Sequence, residues 1–173
     1  MYSISRLYRD QEELRAVAAE LTTLCSQPHP PERTVLRDTR WRLARALLRH
    51  LPLKDRMVYS RLRHHPDPAV VAIAVRYSDE AAMLFGQFEA HTERWTPEAV
   101  EAEWSTYCLG AKMMARMLDE RIAREEAELL PHLDGAPEVP AERRAGDRNW
   151  AGGGWRIREL LGIDPPSPNS RAA

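Results

Sequence analysis

Proline placement is the strongest constraint on how this chain can fold. Pro28, Pro30 and Pro31 fall together, as do Pro66 and Pro68, and Pro97 and Pro131 stand alone. Proline lacks a backbone N–H and crowds the preceding turn, so these sites punctuate helices. Between them run four stretches whose apolar residues recur three and four apart, and no stretch alternates as a strand would. The first is predicted over about Ser3 to Cys25, with Ile4, Leu7, Leu14, Ala18, Leu21 and Cys25 on one stripe. The second runs from about Glu32 to Arg63, with Leu36, Leu43, Leu47, Met57 and Val58 inward. Pro52 lies inside it and predicts a kink between Leu48 and Pro52. The third covers about Pro68 to Arg94, with Ile73, Tyr77, Leu84, Phe88 and Trp95 on its stripe. Thr96 as N-cap and Pro97 as first helical residue restart the chain, and the fourth helix continues to about Leu130. Its stripe is Trp104, Cys108, Ala111, Ala115, Leu118, Ile122 and Leu129.

Four helices joined by short loops predict an all-α, antiparallel, up-down-up-down four-helix bundle over residues 1–133. Residues 134–173 read as a linker, a short helix at about 154–161 opened by Gly152, Gly153 and Gly154, and a disordered tail from Asp164. Trp150 and Trp155 are expected to pin that helix back onto the bundle.

The chain has 173 residues, enough for one core, and a formal net charge of -1. That balance predicts no nucleic acid and no anionic membrane as partner. Arg143, Arg144 and Arg148 read as a solvated linker. The first residues carry no apolar signal core, and no run approaches the roughly 18 apolar residues of a membrane helix. Cys25 and Cys108 could bridge, but compartment logic favours two buried free thiols in a reducing cytoplasm. The expectation is a soluble cytoplasmic protein. There is no nucleophile elbow, phosphate loop or dinucleotide fingerprint, so an enzyme is not expected.

Polar residues interrupt all four stripes. Gln11 stands in the first; His50 and Lys54 in the second; Glu80 in the third; Arg121 and Glu125 in the fourth. In an antiparallel bundle these positions can share one level. Buried charges are costly unless paired, and Lys54, Arg121, Glu80 and Glu125 are formally neutral together. They can close as a salt-bridge network, with His50 and Gln11 completing the hydrogen bonds. Lysine and arginine are donors only and ligate no metal at neutral pH. Blander placements also fit the pattern. His50 can be a satisfied core histidine, Lys54 can snorkel outward, and Arg121 with Glu125 can be an ordinary surface pair. His64 and His65, followed by Pro66 and Pro68, read as an exposed loop in preference to a metal pair.

The segment from His50 to Tyr59 follows H-L-x-x-[EK]-D-x-x-V-Y, and that from Arg121 to Pro131 follows R-I-A-x-E-E-x-x-L-x-P. On the second and fourth helices of a bundle, this pair resembles the hemerythrin-like HHE cation-binding family. The opening from Leu7 to Leu14 looks like that family's first helix, and the resemblance covers about Tyr2 to Leu133. It implies a four-helix bundle around a non-haem di-iron centre that binds oxygen or senses redox state or gas. His50 matches the His of the second-helix motif and Glu125 the carboxylate of the fourth. Gln11 and Arg121 stand where a His is expected, and Lys54 where a Glu is expected. His50, Glu80 and Glu125 are the residues left to hold a metal, so the cofactor expectation is none or weakly bound iron.

Three functions follow. The first is a hemerythrin-like binding and regulatory module, in stress or redox signalling, with a degenerate metal site. The second is a non-haem iron or other cation sensor of oxygen or redox state. The third is a histidine phosphotransfer bundle, which requires a solvent-exposed His50. A protein partner or a second copy of the chain is the expected partner class.

Overall fold

A computed structural model describes residues 4–139 and 150–163. The elements are α1 (Ile4–Leu24), α2 (Arg33–Lys54), a π-helical turn (Asp55–Tyr59), α3 (Ser60–Leu62), α4 (Pro68–Arg94), α5 (Pro97–Ala102), α6 (Trp104–Glu128), a 3-10 turn (Leu130–Gly135) and α7 (Trp150–Leu160). No strand occurs among the described residues. The restart at Thr96 is capped as expected, and the one at Pro68 is capped too. Asp67 accepts from the Ala69 N–H at 2.8 Å ahead of Pro68, and Thr96 accepts from the Ala99 N–H at 3.2 Å ahead of Pro97.

The long helices pack in opposite senses, as their side-chain partners show. Between α1 and α2, Glu13 meets Arg49 while Glu20 meets Arg42. Between α1 and α6, Arg15 meets Asp119, and the carbonyl of Gln27, just past α1, takes the Trp104 indole. Between α4 and α6, Arg94 meets Glu103 while Tyr77 meets Glu128. Rising numbers on one helix meet falling numbers on the next, as an antiparallel bundle requires. The core follows the predicted stripes: Leu7, Leu14, Leu21, Leu43, Tyr77, Phe88, Cys108 and Ile122 are all buried. Cys25 and Cys108 are free, buried thiols.

Four details differ from the sequence reading. First, α2 runs through Pro52 to Lys54, and its irregularity follows as the π turn. A π turn takes one extra residue, so the inward positions step by four from His50 to Lys54 and by five to Tyr59. Second, the fourth helix is broken at Glu103 (φ -129°, ψ 44°) into α5 and α6. Third, the expected linker opens with an ordered turn, where the Arg61 guanidinium donates to the Leu133 and Ala136 carbonyls at 3.2 and 2.9 Å.

Fourth, α7 begins at Trp150, with all three glycines inside it. A Cβ on Gly153 would lie 2.8 Å from the Phe85 ring, and one on Gly154 would lie 3.2 Å from Leu48. The missing side chains therefore let α7 lie flat on α2 and α4. Ile157 and Leu161 join the core there. Trp150 does pin the helix: its Nε1–H donates to Asp55 at 2.8 Å, and its ring meets Phe85 edge-on at 5.1 Å. Trp155 is exposed instead. Arg143, Arg144, Arg148 and the tail from Asp164 lie outside the described residues.

Candidate functional site

The polar interruptions of three helices meet around Glu125, which is 0% exposed. From α2, the Lys54 ammonium donates to both Glu125 carboxylate oxygens, at 2.6 and 2.7 Å. One turn earlier on α6, Arg121 Nε lies 2.9 Å from Glu125 Oε1. Arg121 also donates to Glu80 on α4 at 2.9 Å, to the Tyr59 hydroxyl at 3.2 Å and to the Tyr77 carbonyl. Tyr59, delivered by the π turn, donates to Glu125 at 3.3 Å. Glu80 closes the layer at its outer side. It is half-buried and shared with the exposed Arg124 at 3.1 Å.

Lys54 and Arg121 are both buried, so neither the snorkelling lysine nor the surface ion pair describes this site. Burial is the largest single influence on the Lys54 ammonium and pushes it down, but the charge and hydrogen bond of Glu125 together with Tyr59 outweigh it, and the net shift is upward. Arg121 behaves alike: burial lowers it, Glu125 raises it, and the balance favours the charged form. Such charges are stable in low dielectric only because each has a partner at hydrogen-bond distance.

The expectation that His50 and Gln11 complete this network is corrected by the structure. Both are buried, and neither ring nitrogen of His50 nor either amide atom of Gln11 has a hydrogen-bond partner among the described residues. Lys54 reaches both oxygens of Glu125, Arg121 and Tyr59 reach Oε1, and His50 and Gln11 are not among its partners. The His50 imidazole is pushed down to about 2, chiefly by burial and then by the charges of Lys54, Arg49 and Arg121. It is therefore neutral. At 2% exposure it is also out of reach of a phosphoryl donor, which removes the basis for the phosphotransfer reading. His64 and His65 stay in their loop: His64 Nδ1 lies 2.8 Å from the Ser60 carbonyl, and His65 Nδ1 accepts from the Asp67 N–H at 3.1 Å.

Other polar residues went unnoticed in the sequence. Tyr59 closes the very segment that His50 opens, but a regular helix turns it away from Lys54. Arg40 is buried on α2 and sits between Leu36 and Leu43, at core spacing. His91 on α4 and Tyr107 on α6 each hold a buried polar atom without a partner among the described residues. The signal for Arg40 was present, since it interrupts its stripe just as Lys54 does.

A family model for the hemerythrin HHE cation binding domain matches residues 3–133. The chain belongs to that family. No curated protein and no solved structure matches it. The hemerythrin match covers α1 to α6 and the start of the 3-10 turn, including all six polar positions. The donor set here does not fit the metal pair that a hemerythrin bundle implies. Such a pair needs neutral imidazoles and carboxylates with free lone pairs. Glu125 already binds two cations of the chain itself, and Lys54 and Arg121 have no lone pair to offer. Among the described residues, no three His, Cys, Asp or Glu side chains are grouped to hold an ion.

Proposed function

We propose that this hemerythrin-like chain is a non-catalytic binding and regulatory module, in stress or redox signalling, whose bundle core is closed by its own cations. The observation that carries this reading is the double seizure of Glu125, by Lys54 at 2.6 and 2.7 Å and by Arg121 at 2.9 Å. An ammonium and a guanidinium then supply the positive charge that cations supply elsewhere in the family, and the bundle needs no ion to fold. A cytoplasmic setting suits the two free thiols. Metal analysis of protein purified from iron-replete cells tests the reading. The expected result is no stoichiometric iron, manganese or zinc. An iron pair in each chain, with an oxygen-dependent visible band, rejects it.

A second reading has one specific observation in its favour, the unpartnered and neutral imidazole of His50. It makes the protein a single-cation sensor with His50 as a ligand. One metal per chain, lost in His50→Ala, is the result that selects it.

A further inference from the structure

A cavity of about 100 Å³ opens between α4 and α6. Its walls are mostly apolar, with Leu47, Phe85, Ala111 and Leu118 among them. The exposed Gln87 on α4 and Met117 on α6 both line it, so it reaches the surface there. Three cationic side chains also line it, Arg40, Lys54 and Arg121, and no acidic one does. Lys54 and Arg121 are committed to Glu125. Arg40 meets no carboxylate among the described residues.

Arg40 is 9% exposed and donates to two carbonyls at the C-terminal end of α4, Trp95 at 2.9 Å and Thr92 at 3.4 Å. None of its partners among the described residues is a carboxylate, and burial lowers its pKa. The carbonyls offset only part of a full charge held away from water. Around it stand two more unsatisfied groups. The Arg40 guanidinium lies 5.7 Å from the centre of the Tyr107 ring, whose hydroxyl is buried and unpartnered. The His91 ring lies 5.7 Å from the same ring, with Nε2 buried and unpartnered. Burial lowers His91 to about 4, so it is neutral and offers one N–H. A guanidinium, a hydroxyl and an imidazole thus line a single apolar cavity.

We propose that this cavity binds a small apolar monocarboxylate, its hydrocarbon body between α4 and α6 and its carboxylate facing Arg40, Tyr107 and His91. The volume is about two-thirds of the roughly 150 Å³ of an engineered apolar cavity that takes benzene, so a single ring enters only as the wall yields and with the mouth at Gln87 and Met117 open. Met114 and Met117 on the wall can adjust to the ring. The carboxylate would give Arg40 the counter-ion it lacks and the Tyr107 hydroxyl an acceptor. Lys54 and Arg121 of the Glu125 layer share the cavity wall, but the group that faces the carboxylate (Arg40, Tyr107 and His91) does not include them, and the proposal goes beyond the reading above.

Calorimetric titration of the full chain with benzoate, its neutral isostere benzamide, and acetate tests the proposal. Benzoate is expected to saturate one site per chain. Benzamide is expected to bind at least tenfold more weakly, and acetate weakly too for want of an apolar body. Arg40→Met is expected to raise the benzoate Kd at least tenfold, and Tyr107→Phe several-fold, with benzamide unchanged in both. Arg40→Met costs the fold the two carbonyl contacts of Arg40, but Tyr107→Phe removes only an unpartnered hydroxyl and should unfold at the wild-type midpoint. The proposal is overturned by an absence of saturable benzoate binding, by equal affinity for benzoate and benzamide, or by a folded Tyr107→Phe variant that binds benzoate as wild type does.

Discussion

Glu125 is fully buried and meets a lysine at both oxygens and an arginine at one of them. Removing one member of such a buried set strands the others, and losses of about 3–5 kcal/mol are usual. Glu125→Gln is therefore expected to lower the unfolding free energy by about that much, because Lys54 and Arg121 lose their common anion. Lys54→Met in the same chain should restore part of it, since one stranded cation goes too. Urea melts of the two single variants and the double variant check this. If the double variant is less stable than Glu125→Gln alone, the pair is not coupled as described. At this scale the sequence was informative about which residues were involved. Lys54, Arg121 and Glu125 each interrupt an apolar stripe, and burial of a charge demands partners. It was uninformative about who bonds to whom. Gln11 and His50 interrupt their stripes in the same way, yet they stay outside the network.

At the level of the elements, the glycines distinguish local preference from contact. Gly86 sits inside α4 with nothing within 4 Å of an added Cβ. Gly86→Ala should therefore stabilise the protein by up to about 1 kcal/mol, the helix-propensity difference. Gly153 sits inside α7, where an added Cβ meets the Phe85 ring at 2.8 and 2.9 Å. That ring is held in the core between Phe88 and Trp150. Gly153→Ala should destabilise by about 1–3 kcal/mol, as overpacking does, despite the better helix former. Thermal melts of both variants should therefore shift in opposite directions. A rise for Gly153→Ala would show that α7 does not pack where described. Helix starts at Pro68 and Pro97 were legible because caps are local chemistry. The π turn, the break at Glu103 and the glycine-rich start of α7 were not, because each answers to a neighbour distant in sequence.

Over the whole molecule, folding keeps His50 neutral, and this ties stability to pH. Its folded value of about 2 lies below the ordinary 6.5. Above pH 6.5 neither state binds the proton, and the contribution is fully present. Below it the unfolded chain takes up a proton that the native imidazole refuses, so stability falls from pH 6.5 toward 2. At pH 5 the loss from this group is about 2 kcal/mol. His91, lowered to about 4, acts in the same direction over a narrower window. Urea midpoints at pH 5 and pH 7.5 should therefore differ less in His50→Leu than in wild type, by about that amount. An identical difference in both proteins would mean that His50 titrates normally. The four helices, their order and the polar level on their inner faces were determined by the sequence itself. Periodicity, prolines and caps act within a turn or two of the chain, and an amphipathic stripe has one way to bury itself. Only the tertiary structure decided that Glu125 is held by the chain's own cations, that Arg40 meets no carboxylate among the described residues, and that a cavity lies between α4 and α6. Those outcomes depend on distances of a few ångströms between side chains far apart in sequence, and no local rule fixes them.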